Sequence, residues 1–168
     1  MTETNYAVDL IALTPEHAVD VASGDQTLFG GAINAAKVAG LVRNIAAAQA
    51  NLYQRTGAVP PWIGYLARDP NSNAVVGTCS FVGNPSGGEV EIAYFTFPGA
   101  EGRGWGAGMA AALVALAFSE PEIDRLIAHT LPAEGPSTRI LQKLGFERAG
   151  EAVDADEGPV WKWALARP

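Results

Sequence analysis

The sequence predicts an α/β fold: one mixed, mostly antiparallel sheet with helices on its faces. Three observations carry this. Short runs such as Val90-Glu91-Ile92-Ala93-Tyr94-Phe95-Thr96-Phe97 read as strands, and alanine-rich stretches with one apolar face read as helices. Turn clusters at Asp69-Pro70-Asn71-Ser72-Asn73 and Gly83-Asn84-Pro85-Ser86-Gly87-Gly88 join successive strands into antiparallel hairpins. Finally, the Glu89–Phe97 run leads through a glycine loop into a helix and then a further strand. Hairpins beside such a strand–loop–helix–strand unit make a mixed sheet.

The elements follow in order. Tyr6 to Leu13 alternates weakly and predicts a strand. Thr14-Pro15-Glu16 starts a short helix, with threonine at the cap and proline at the first helical position, running to about Ala22. Ala35 to Tyr53 places Val38, Leu41, Val42, Ile45, Ala48 and Leu52 at helical spacing, and Gly57 and Pro60-Pro61 end it. Trp62–Arg68 and Ala74–Val82 are the strands of a hairpin, and Glu89–Phe97 is the next strand. Met109 to Phe118 is helical until Pro121, and Arg125–Thr130 is a short strand. Ser137–Leu144 is a helix closed by Gly145. Strands from Phe146 and over Val160–Leu165 flank an acidic turn at Asp154–Gly158. The order is β-α-α-β-β-β-α-β-α-β-β.

Length and composition set limits. At 168 residues and 48% apolar content, one domain spanning 1–168 is expected. The formal charge of −7 argues against non-specific nucleic-acid binding and permits a cationic or amine substrate. The one cysteine, Cys79, excludes an internal disulfide and reads as a buried thiol. With two histidines far apart, no metal site is expected. The polar N-terminus and the lack of a long apolar run predict a cytoplasmic protein with no membrane span.

The chain is organised around Gly102-Arg103-Gly104-Trp105-Gly106-Ala107-Gly108. Glycines between a strand and a helix let the backbone approach a ligand closely. The first helical N–H groups and the helix dipole then favour an anion such as a phosphate. The plain alternative is a glycine-rich turn. Four glycines in seven residues weigh against it, since each costs a helix interior about 1 kcal/mol relative to alanine.

The order of elements, this loop and the segment Ser137-Thr138-Arg139-Ile140-Leu141-Gln142-Lys143-Leu144-Gly145-Phe146 resemble the GCN5-related N-acetyltransferases (GNAT). The branch that acetylates ribosomal-protein N-termini is the nearest in pattern. The resemblance implies transfer of an acetyl group from acetyl-CoA to an amine, without a covalent enzyme intermediate. It implies that Gly102, Arg103, Gly104, Trp105, Gly106 and Ala107 bind the pyrophosphate. It further implies that the pantetheine lies in a V-shaped gap between Glu89–Phe97 and Arg125–Thr130, beside Phe95 and Phe97. Arg103, Arg139 and Lys143 are candidate phosphate partners, the last two being four apart on one helix face. Three positions depart from the pattern: Glu101 at the loop's opening, Glu134 where asparagine is usual, and Leu141 where many relatives carry a tyrosine as general acid.

Aminolysis of a thioester needs a base for the amine proton and a donor for the developing oxyanion. Glu91, inside an apolar strand, is the first candidate base, with Glu89 on the same strand face. Both glutamates also fit the solvated side of an antiparallel strand. His129 is a candidate proton relay or a partly buried structural histidine. Ser137 either protonates the thiolate and binds CoA or caps its helix. Phe29 and Asn34, in the segment Asp25–Ala36, together with Glu89 are the expected acceptor-binding residues. The acceptor is a small-molecule amine or a protein or peptide N-terminus, and a homodimer is admissible.

Two other classes fit some of these residues. Gly102 to Ala107 also satisfies the dinucleotide-binding pattern G-x-G-x-x-A, although about 100 residues precede it. A non-catalytic acyl-CoA-binding or regulatory module is the second. Trp62, Trp161 and Trp163 read either as core or as a protein interface.

Overall fold

A computed structural model describes residues 7–168; Tyr6 of the expected first strand lies outside them. The elements are β1 (Asp9–Leu13), α1 (Pro15–Ala22), α2 (Ala35–Thr56), β2 (Gly64–Arg68), β3 (Val75–Ser86) and β4 (Glu89–Thr96), then α3 (Trp105–Phe118), β5 (Arg125–Thr130), α4 (Pro136–Lys143), β6 (Glu147–Asp154) and β7 (Gly158–Ala166). Their order is the expected one. The strands form a sheet in the order β1-β2-β3-β4-β5-β7-β6. Among the described residues only the β4–β5 pair is parallel. A doubly wound dinucleotide-binding sheet is mostly parallel, and this one is mostly antiparallel, so that reading falls.

Local signals set the helix ends. Thr14 Oγ1 accepts from the His17 N–H at 3.2 Å, capping α1 ahead of Pro15. Gly57, at φ 63°, closes α2. Phe146 N–H bonds back to Leu141 O at 2.9 Å around Gly145, which ends α4.

Several boundaries differ from expectation. β3 continues to Ser86, because the chain reverses only at Gly87-Gly88, both left-handed. α2 runs three residues beyond Tyr53, whose side chain is buried inside it. α3 starts at Trp105, four residues before Met109, so Gly106 and Gly108 are helical. Packing overrides the poor propensity there: a Cβ on Gly106 would stand 3.0 Å from Ile140 Cδ1 of α4 and 3.5 Å from Thr96 Oγ1 of β4.

Two cores fix the layers. α3 packs Met109, Leu113 and Ala117 with Ile92, Leu126, Ala128, Leu141 and Trp163 on one face of the sheet. α1 and α2 pack Val21, Val42 and Ala46 with Leu66, Val75 and Phe97 on the other. Trp62 and Trp163 are buried and Trp161 packs on the first core, so the tryptophans are core residues rather than an exposed interface. Cys79 is buried as expected, and burial pushes its thiol up to about 12.

Parallel pairing of β4 with β5 stops early. Glu89, Val90 and Glu91 pair with Arg125, Leu126 and Ile127, and then the strands part. β4 continues to Thr96 and β5 to Thr130 without a ladder between them. The sheet therefore opens as a wedge on the side of the glycine loop. Beyond the reach of α1 and α2, Ala93 and Phe95 on β4 are exposed.

Candidate active site

The glycine loop forms one end of the wedge. Gly102 (φ 76°) and Gly104 (φ 85°) are left-handed, a conformation costing other L-residues roughly 1–2 kcal/mol. Gly104 is the N-cap of α3, and no side chain caps that end. The Gly106 and Ala107 N–H groups therefore lie in the first turn of α3, which leaves them without a partner within the helix, and both residues line a cleft of about 670 Å³. Across the cleft α4 contributes Arg139 and Lys143, while Tyr94, Phe95 and Thr96 of β4 form its floor. Left-handed glycines, a helix N-terminus and two cations suit a pyrophosphate.

The other end is a second cleft, of about 780 Å³, between β4, β5, the start of α4 and the β6–β7 turn. Tyr94, Phe95, Pro136 and Ser137 line both clefts, so the two are continuous. Here Glu91 and His129 meet, with Nδ1 2.7 Å from Glu91 Oε1. Their side chains are 31% and 29% exposed, enough to meet a ligand while partly desolvated. Glu134, Asp154 and Glu157 also line this cleft, and neither lysine nor arginine does. Asp154 accepts the Glu157 and Asp156 N–H groups at 2.9 and 2.8 Å. These bonds, aided by nearby His129, hold its carboxyl below the usual range, so it is ionised at neutral pH.

The clefts thus gather most of the expected residues: Glu91, His129, Ser137, Phe95, Gly102, Gly104, Trp105, Gly106, Ala107, Arg139 and Lys143. Ser137 is exposed and does not cap α4. That task falls to Thr138, whose Oγ1 accepts the Gly135 N–H at 2.9 Å. Glu101 faces the phosphate end, and Glu134 Oε2 accepts the Thr138 hydroxyl at 3.1 Å.

Five expected site residues sit elsewhere. Phe97 is buried in the α1–α2 core, because β4 ends at Thr96 and its N–H bonds to Val76 O at 2.9 Å. Phe29 is buried in that same core. Asn34 is occupied with the Val75 backbone, donating to its carbonyl and accepting from its N–H, both at 2.9 Å. Glu89 pairs with Arg125, whose Nε donates to Oε2 at 2.8 Å, outside both clefts. Arg103 is exposed on the loop and does not line the cleft.

Sequence reasoning passed over Tyr94. Its hydroxyl donates to Ser137 O across the wedge at 3.4 Å, and burial pushes the phenol up to about 12. An aromatic in a strand is an ordinary β-former, so only the approach of α4 reveals it.

Comparison with known proteins agrees with this geometry. The acetyltransferase (GNAT) domain matches residues 8–147, and the chain belongs to that family. It is an N-acetyltransferase that uses acetyl-CoA as acetyl donor. Among solved structures the fold is similar to AAC(6')-Ib in complex with ribostamycin and coenzyme A. That match has a TM-score of 0.65 and 19% identity, over 96% of this chain and 94% of that one. RimL, a ribosomal L7/L12 alpha-N-protein acetyltransferase in complex with coenzyme A, is similar at TM-score 0.65 and 17% identity, over 98% and 96% of the chains. The spermidine N-acetyltransferase of Vibrio cholerae, in complex with CoA and spermine, is similar at TM-score 0.57 and 13% identity, over 69% and 72%. No curated protein matches the sequence significantly. Among the described residues no helix is long and apolar enough to cross a membrane, and no cluster of metal-ligating side chains occurs.

Proposed function

We propose that this acetyltransferase acts on a small primary amine carrying a second positive charge. The observation behind this is the charge difference between the two ends of one groove. Arg139 and Lys143 line the phosphate end, whereas Glu91, Glu134, Asp154 and Glu157 line the acceptor end with no lysine or arginine. Among the described residues no salt bridge neutralises Glu134, Asp154 or Glu157. Opposed fields of this kind draw an anionic donor and a cationic acceptor to their own ends.

In this reading Gly102, Gly104, Gly106 and Ala107 hold the pyrophosphate through the backbone, with Arg139 and Lys143 beside it. Ser137 hydrogen-bonds the donor in the wedge. Glu91 and His129 take the proton of the ammonium group, so that the neutral amine attacks the thioester directly. With its proton on Nδ1 the imidazole donates to Glu91, and Nε2 is left as the basic nitrogen. Asp154 and Glu157 receive the second cation.

The test is thiol release from acetyl-CoA with a panel of acceptors: diamines and polyamines, an aminoglycoside, neutral amines, and peptides with acidic or basic second residues. Multiply charged amines should give the highest kcat/KM, falling as salt screens the cleft. Asp154→Asn with Glu157→Gln should raise KM for them and leave kcat nearly unchanged. Preference for a neutral amine or an acidic peptide would overturn the assignment.

A further inference from the structure

We infer that Leu131 is a specificity-determining residue: it forms the wall along which the acceptor's body lies, and it selects a diamine whose two nitrogens are joined by a bare hydrocarbon spacer. This deepens the acceptor reading above and rests on it. In that reading the charged ends of the acceptor lie at the Glu91–His129 pair and at Asp154 with Glu157. A lone exposed leucine is ordinary on a protein surface. Leu131 differs in place and in rigidity. It stands two residues beyond His129, just past the end of β5, and lines the acceptor cleft while 59% exposed. Thr130 anchors it on one side, accepting the Trp163 Nε1–H at 2.9 Å in the core. On the other side the Ala133 N–H donates back to Leu131 O at 2.8 Å, across Pro132. With its backbone fixed at both ends, the leucine stays on the cleft wall. Half-exposed Phe95 lines the same cleft, as do Pro136 and Val160, and they continue the apolar surface.

The neutral polar groups point the same way. Tyr94, Thr130, Ser137 and Thr138 are the hydroxyls that line this cleft. Three of them are engaged inside the protein. Tyr94 donates to Ser137 O, Thr130 accepts from Trp163, and Thr138 donates to Glu134 while accepting the Gly135 N–H. Ser137 is given to the donor in the reading above. Among the described residues no asparagine or glutamine lines the cleft. Hydroxyls on a spacer would therefore lose water without gaining a neutral partner, which costs binding. Methylenes laid against Leu131 and Phe95 gain by leaving water. The spacer is also short, because Asp154 lies near enough to His129 for the imidazole to help lower its carboxyl.

The test follows thiol release from acetyl-CoA with diaminobutane, its dihydroxy analogue and butylamine, on the wild type, Leu131→Ala and Leu131→Asn. The side chain is exposed, so both variants should keep the wild-type melting temperature and CoA affinity. The wild type should favour diaminobutane over the dihydroxy analogue by roughly 10- to 100-fold in kcat/KM, the scale on which an apolar pocket discriminates. Leu131→Asn removes the apolar wall and supplies a polar partner, so this ratio should fall about tenfold, with Leu131→Ala in between. Comparing the ratio between variants cancels the lower basicity of the hydroxylated amine. Equal kcat/KM for the two diamines on the wild type overturns the inference. So does a ratio unchanged in Leu131→Asn, a loss of CoA affinity in that variant, or no release with diaminobutane. If butylamine matches diaminobutane while the ratio still depends on Leu131, the second-cation assignment fails and the selection of hydrocarbon by Leu131 stands.

Discussion

Glu91 Oε1 lies 2.7 Å from His129 Nδ1, joining the two strands just where their ladder ends. The residues are 38 apart in sequence and come from different strands. They share a face because Glu91 is level with Ile127, and His129 is two residues further on. A histidine oriented by a carboxylate is a defined base with one free nitrogen. The pair should therefore act as a unit rather than as two independent candidates.

That unity is measurable by a double-mutant cycle. Glu91→Gln keeps an acceptor for the Nδ1 proton but loses the charge, and His129→Gln removes the imidazole. Each should lower kcat with a matched amine by roughly 10² to 10⁴. The double variant should be little worse than the more damaging single one, since groups that work together are not additive. CoA affinity by calorimetry should not move. Fully additive losses would mean the two side chains act separately.

Stability has its own anchor in Tyr53. Its hydroxyl donates to Leu13 O and accepts the Gly64 N–H, both at 2.7 Å, tying α2 to β1 and β2. Tyr53→Phe leaves both backbone groups buried and unpaired, at about 2–3 kcal/mol in chemical denaturation. Burial also raises the Tyr53 phenol, with Tyr65 and Tyr94 pushed up to about 12. These groups stay protonated in the folded chain while unfolded tyrosine ionises near pH 10. Stability is thus intact below about pH 9 and falls as pH rises from there toward the folded values. A flat stability profile up to pH 11 would refute this.

The sequence made the framework legible because its signals are local. Thr14-Pro15 marks a helix start and Gly145 a helix end within a few residues of the backbone they govern. The glycine loop and the carboxylate on β4 were readable for the same reason. What escaped depends on contacts across the chain. Asn34 meets Val75 from 41 residues away, so its amide looked available. Phe97 keeps the alternation of Phe95, yet the strand stops between them and the ring turns into the other core. Tyr94 carries no signal of its own, since its hydroxyl gains meaning only from Ser137, 43 residues later. The acidic acceptor cleft assembles Glu91, Glu134, Asp154 and Glu157 from four segments, none acidic enough alone to announce a binding surface.

The phosphate end gives a prediction with two opposite signs. Gly104→Val puts a β-branched side chain at φ 85° on the rim of the cleft, where the backbone must come close to the pyrophosphate. CoA affinity should collapse. The local strain of roughly 1–2 kcal/mol should lower the melting temperature without unfolding the chain. Glu101→Gln acts in the other direction. It removes a carboxylate facing the same cleft, so CoA should bind more tightly, by severalfold at low salt and less as salt screens the repulsion. Calorimetric titration of both variants with CoA, at two ionic strengths, reads the pair. A folded Gly104→Val variant that binds CoA like the wild type would place the phosphates away from this loop. Weaker binding in Glu101→Gln would mean that its carboxylate accepts a hydrogen bond from the donor rather than repelling it.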